Sequence, residues 1–150
     1  MSILVFLHSF LSLLPAFSPV EYQDLSTVRT VVIRGTTSYD IDGDFYLKVL
    51  EDQSGELSFD QVKSKISDFR SFDSWEFDHR YTYWSVFKIR NNSGEGQNFI
   101  MSLGYNSLVE VYSESEESGL SIRKSGYLMP MPDRDIEHNG DSKVRLFLNM

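Results

Sequence analysis

Residues 81–105 read YTYWSVFKIRNNSGEGQNFIMSLGY, and this stretch decides the fold. From Tyr81 the side chains alternate with a period of two. Tyr83, Ser85, Phe87 and Ile89 share one face, and Trp84, Val86, Lys88 and Arg90 share the other. That is the period of a β-strand, whose successive side chains point to opposite faces. NNSGEGQ is a long polar turn. Beyond it Phe99, Met101 and Leu103 alternate with Asn98, Ile100 and Ser102, which gives another strand.

The same grammar continues outward. GYN leads into LVEVYSE, the acidic loop SESEESG separates this from Leu120 and Ile122, and GDSK precedes VRLFLN, where Val144, Leu146 and Leu148 alternate. Pro130 and Pro132 cannot donate to a ladder, so RKSGYLMPMPDRD reads as an edge crossing or loop. Upstream, the β-branched run Thr27–Ile33 (TVRTVVI) predicts a strand closed by Gly35. Phe45–Leu50 (FYLKVL) predicts another, between the turns DIDGD and EDQSGE. One helix interrupts the pattern. Ser58 can cap it with Gln61 three residues on, and Val62, Ile66 and Phe69 place an apolar stripe on about three turns. Short strands, polar turns and little helix predict an all-β, jelly-roll-like antiparallel β-sandwich with one short helix near 58–69.

Composition agrees and excludes several functions. Of the 150 residues 41% are apolar, and eight Tyr, eleven Phe and two Trp favour pleated surfaces. The 22 acidic against 14 basic side chains give a formal charge of −8, which repels phosphate backbones, so nucleic acid is not an expected partner. The absence of cysteine removes disulfides, thiolate catalysis and Cys-based zinc sites together.

Residues 3–17, ILVFLHSFLSLLPAF, carry no charged side chain. The run is shorter than the roughly 20 residues that span a bilayer, and Pro15 interrupts it. It reads as a secretory signal peptide over 1–18, with Ala16 and Ser18 as small residues near a cleavage point, although no Lys or Arg precedes it. The domain proper then covers 19–150. The competing reading is a buried N-terminal strand or a helix docked on the core.

Three stretches in order carry a family likeness: YLKVLEDQSGELSFDQV, the Tyr-Trp strand and its sequel already quoted, and LVEVYSESEESGLSIRKSGYLMPMPDRDI leading to VRLFLN. The series, over roughly residues 30–150, resembles the type-2 extracellular domain of the bacterial 7TMR-DISM receptors, seven-transmembrane receptors with diverse intracellular signalling modules. The resemblance implies a jelly-roll-like sandwich, similar to carbohydrate-binding modules, held outside the cell. Seven membrane helices and a cytoplasmic output module normally follow. The chain instead ends at Met150, and members usually run on through further strands. The expectation is a fragment of a longer gene product or a freestanding version, lacking its last strand or strands.

The chemistry-bearing residues point to binding. His79 and His138 are 59 positions apart, with no ligand spacing, and His8 lies in the apolar run. Asp40, Asp42 and Asp44 around Gly43 resemble part of a calcium loop, but the closing Glu is missing in one register and displaced in the other, so an Asp-Gly turn is expected and no metal. Glu116 and Glu117 are neighbours on a loop, not two carboxyls facing across a cleft. No cofactor is implied. The aromatic set is Trp75, Tyr81, Tyr83, Trp84, Tyr105 and Tyr127, with Trp84 expected in the core. Trp75 and Tyr105 adjoin turn-like sequence, and Arg80 and Asn106 stand beside them, so these four form the candidate ligand-binding set.

The expected function is a non-catalytic, extracytoplasmic ligand-sensing domain, periplasmic or at the cell surface. It would bind a small ligand such as a carbohydrate and be anchored through a downstream membrane region absent from this chain. The alternative is a freestanding secreted binding module with no signalling role.

Overall fold

The alternation beginning at Tyr81 builds a ten-residue strand, Thr82–Asn91, that buries side chains on both faces. It organises the rest. The computed structural model describes the strand backbone of residues 2–8 and, in full, residues 28–35, 47–71, 78, 80–115 and 119–148. Strands β1 (Ser2–His8), β2 (Thr30–Ile33), β3 (Lys48–Asp52), β4 (Arg70–Ser71), β5 (Thr82–Asn91), β7 (Val109–Ser115) and β8 (Gly119–Ser125) form one sheet. Its order is β4–β3–β5–β1–β7–β8, with β2 also paired to β5. A second, two-stranded sheet pairs β6 (Gln97–Ser102) with β9 (Lys143–Leu148).

One edge of β5 carries β1 over Trp84–Arg90, from Ser2 opposite Arg90 to His8 opposite Trp84. The other edge is shared. Antiparallel β3 covers Thr82–Val86, and parallel β2 covers Lys88–Asn91. The expected all-antiparallel sandwich thus contains one parallel pair, because β2 and β3 use the same edge of β5 while running in opposite directions.

Each face of β5 meets its own apolar layer. On one side Phe87 and Ile89, with Val31, Ile33, Val109 and Val111, pack against Met101, Val144, Leu146 and Leu148 of the second sheet. On the other, Trp84 and Val86 pack with Val28, Val62, Ile66 and Phe69. Each fully buried side chain of this size contributes about 1.5–3 kcal/mol relative to exposure. The Trp84 indole is in the core, as its mid-strand position predicts.

The helix is shorter than its apolar stripe suggests. Helix α1 covers Phe59–Lys63, and a 3₁₀ turn follows over Ile66–Asp68. The capping box forms as expected, with the Ser58 hydroxyl accepting from the Gln61 N–H and the Gln61 side chain accepting from the Ser58 N–H. What ends the helix is Ser64, whose hydroxyl donates to the Gln61 carbonyl. The Lys65 and Asp68 N–H groups then bond three residues back, to Val62 and Lys65, which tightens the chain. Val62, Ile66 and Phe69 still reach the same core.

Strand β3 also runs two residues past its predicted end, because Asp52 belongs to the ladder and to the turn at once. The buried carboxylate accepts from the Ser54 N–H, Ser54 hydroxyl, Gly55 N–H and Leu57 N–H at 2.7–3.1 Å. Burial alone would raise its pKa. The hydrogen bonds from the Ser54 side chain and from the Leu57, Gly55 and Ser54 backbones outweigh it and hold the carboxyl below its ordinary value.

Residues 2–8, read above as part of an export signal with a buried strand as the competitor, form β1 between β5 and β7. The remainder of the presumed signal lies outside the described residues, as does the Asp40–Asp44 turn. A signal removed near Ala16 would take β1 with it, so the two roles exclude each other in a mature chain.

Asp52 gives a stability test. Its folded pKa lies below the unfolded value, so its contribution is complete above the ordinary carboxylate range and disappears as pH falls through the folded pKa. Asp52→Asn should cost about 1–3 kcal/mol at pH 7 in urea unfolding, and distinctly less at pH 3. Equal midpoints for the two proteins at pH 7 would remove Asp52 from this role.

Candidate functional site

The loops of interest emerge at one end of the large sheet. His8 pairs with both Trp84 and Glu110, which puts those two residues in one row across β5, β1 and β7. The turn from Asp78 to Tyr81, which enters β5, and the loop 103–108, which enters β7, therefore lie at the same end. Two strand spacings, about 10 Å, separate their strands.

The 103–108 loop is locked to two distant segments. The Tyr127 N–H donates to the Asn106 carbonyl and the Leu128 N–H to the Ser107 carbonyl, each at 3.0 Å. Buried Ser142 closes the other side, its N–H donating to Gly104 and its carbonyl accepting from Leu103, each at 2.8 Å. Gly126 permits this closeness. Its φ is +133°, and a Cβ there would lie 2.4 Å from the Ser107 carbonyl oxygen.

Arg134 and Asp135 fix the long connection from β8 to β9. The Arg134 guanidinium donates from Nε to the Met129 carbonyl, from Nη1 to His138 and from Nη2 to Tyr127, at 2.7–3.0 Å. The Asp135 carboxylate accepts from the Arg123 guanidinium of β8 and from the Arg145 N–H of β9. One charged pair of neighbours thus ties the Pro130–Pro132 segment to both flanking strands.

This frame presents rings to solvent. Tyr105 is 78% exposed and Tyr127 is 54% exposed, on the two loops bonded together. The Ser107 hydroxyl lies 3.4 Å from the Tyr127 phenol, and the Tyr105 phenol is close to Gly140. His138 turns back on its own loop, its Nδ1 accepting from the Gly140 N–H at 3.0 Å.

Arg80, on the neighbouring turn, is exposed, and its guanidinium is gripped by Asp78, with Nε 3.0 Å from each carboxylate oxygen. That hydrogen bonding, and then the carboxylate charge, push its pKa further above the ordinary guanidinium value. The guanidinium also lies over the Tyr81 ring, 5.7 Å from its centroid. Tyr83 anchors the turn, its phenol oxygen accepting from the Asp78 N–H at 2.7 Å. Burial, and then the Glu51 carboxylate, outweigh that donation and raise the phenol's pKa.

Of the four candidate residues, Tyr105 and Arg80 are accessible at the same end of the sheet. The Asn106 side-chain amide donates to the Leu103 carbonyl, so that donor shapes its own turn. Trp75 lies outside the described residues, as do His79, Glu116 and Glu117. Tyr127 belongs to the aromatic set read from sequence but not to the four-residue binding set. Gly126, Arg134 and Asp135 carry no local signal in the sequence, because their partners are distant carbonyls and strands.

The chemistry on offer is stacking on two phenol faces, hydroxyl hydrogen bonding and one held cation. Asp52, a carboxylate buried elsewhere, already accepts from four donors.

Gly126→Ala should lower stability by about 1–3 kcal/mol through its strained backbone conformation, more if the Ser107 loop cannot shift. Arg134→Lys retains the charge and loses the fork. Amide exchange at Tyr127, Leu128 and Gly140 should then accelerate at least tenfold, while β5 amides keep their protection. Unchanged exchange in that loop would show that the three carbonyl contacts do not hold it.

The family model described as 7TMR-DISM extracellular 2 matches residues 44–149, more than two thirds of the chain. No curated protein and no solved structure matches it. The matched span takes in β3, α1, the Tyr-Trp strand β5 and both loops that carry the exposed rings. The chain belongs to the 7TMR-DISM extracellular 2 family, extracellular domains of seven-transmembrane receptors.

Proposed function

We propose that this domain is a non-catalytic sensor, binding a small polyhydroxylated ligand such as a carbohydrate at the Tyr105–Tyr127 end of the sandwich. In the full-length receptor it is anchored through a membrane region, on the extracytoplasmic side. The carrying observation is the pair of exposed rings on two loops that are hydrogen-bonded to each other, the Tyr127 loop being clamped by Arg134. A ring carried on backbone that is already held leaves less entropy to be lost when a ligand stacks on it. Sugars present C–H faces to such rings and hydroxyls to phenols and guanidinium groups, so Tyr105, Tyr127 and Arg80 form a chemically suited set. Trp75 enters beside Arg80 in the sequence, and Asn106 acts by shaping the Tyr105 turn.

Membership of a receptor extracellular family supports the sensing role. Catalysis has no motif behind it: glycoside hydrolysis asks for two carboxyls facing across a cleft, one with a raised pKa. The Asp52 carboxyl is shifted in the opposite direction. No helix among the described residues is long and apolar enough to cross a membrane, and in this reading the signal passes to the receptor's membrane region. A ligand drives that region only by binding two receptor states with different affinity.

Calorimetry against a panel of neutral mono- and oligosaccharides tests this. At least one sugar should bind, with Tyr105→Ala and Tyr127→Ala each weakening it tenfold or more, about 1.4 kcal/mol, at unchanged thermal midpoint. Trp75→Ala tests that candidate in the same way. A panel without binders, or a sugar whose affinity ignores both tyrosines, would overturn the assignment.

A further inference from the structure

The position of β1 has a consequence for how this protein matures. The seven residues Ser2–His8 pair with β5 from Arg90 to Trp84, and five of them pair with β7 from Glu114 to Glu110. In the strand order β5 and β7 are joined through β1. Without β1 the large sheet divides into β4–β3–β5 with β2, and β7–β8. A slot one strand wide would then separate two rows of backbone N–H and C=O groups, with no other strand among the described residues to satisfy them.

Neither wall of that slot has the character of an edge strand. β5 buries Trp84 and Val86 on one face and Phe87 and Ile89 on the other. β7 buries Val109 and Val111, and its Tyr112 ring stacks on Phe59 of α1 at 4.6 Å. β8, the terminal strand of the sheet, instead carries Arg123 and Lys124, the kind of charge that protects an exposed edge. The occupant suits the slot as well. SILVFLH is apolar between its end residues, the composition of a strand with a buried neighbourhood on both faces.

We propose that the slot between β5 and β7 is a strand-acceptor site, and that Ser2–His8 is its occupant in the mature protein. The apolar N-terminal segment is retained as the central strand and is not removed on export.

Intact mass and amide exchange of the protein recovered from the extracytoplasmic fraction decide it. The mass should include residues 2–8, and their amides should be protected together with those of β5 and β7. A chain that begins beyond Ser18 would overturn the proposal. So would free exchange over 2–8 while β5 and β7 stay protected. Two proline variants separate a strand from a passive tail. Val5→Pro, mid-strand between two ladders, should lower the thermal midpoint by more than 10 °C or prevent folding. Ser2→Pro, at the first strand residue, should stay close to the parent. Equal behaviour of Val5→Pro and the parent would also overturn it.

Discussion

The fold depends on the burial of β5 on both faces and its pairing along both edges. Trp84 and Val86 fix one apolar layer, Phe87 and Ile89 the other, and every neighbouring strand is placed by its register against this one. A one-residue slip of β5 would exchange the two layers, setting Trp84 and Val86 against the second sheet and Phe87 and Ile89 against the helix. Residues of different size on the two faces therefore specify the register. The same constraint sets the loop geometry, because the row containing Trp84 and Glu110 decides which turns emerge together.

Order at that end comes from polar groups that act on backbone. Gly126 lets two loops touch, Ser142 closes the third side, and Arg134 holds three carbonyls of one connection. Two tyrosines, Tyr105 and Tyr127, are left largely exposed on this frame. A second apolar surface exists on the outer face of the small sheet, where Ile100 and Phe147 are exposed on adjacent strands. That surface lacks the combination of rings, hydroxyls and a held cation found around Tyr105.

Much of this was legible in the residues. The alternation in β5, β6 and β9 gave which side chains share a face, and the Ser58–Gln61 box predicted where the helix starts. These features rest on neighbours within a few positions. The helix end was misread because the stripe of Val62, Ile66 and Phe69 is the same whether the backbone between them is α or 3₁₀. The extension of β3 was missed because Asp52 is a turn former by composition, yet here it caps the turn from inside the ladder. Parallel pairing of β2 leaves no local trace, since its partner lies almost sixty residues away. The exposure of Tyr105 follows from its place beside a turn. Asn106 looks equally available in sequence, and only the fold shows its amide committed to Leu103.

The central claim is that ligand recognition occurs at the loops carrying Tyr105 and Tyr127. Backbone amide chemical shifts, followed while a neutral oligosaccharide is titrated into the ¹⁵N-labelled domain, test it most directly. The account predicts saturable changes confined to residues 103–108, 126–142 and the turn at Arg80. Changes centred on Ile100 and Phe147, with the tyrosine loops silent, would contradict it.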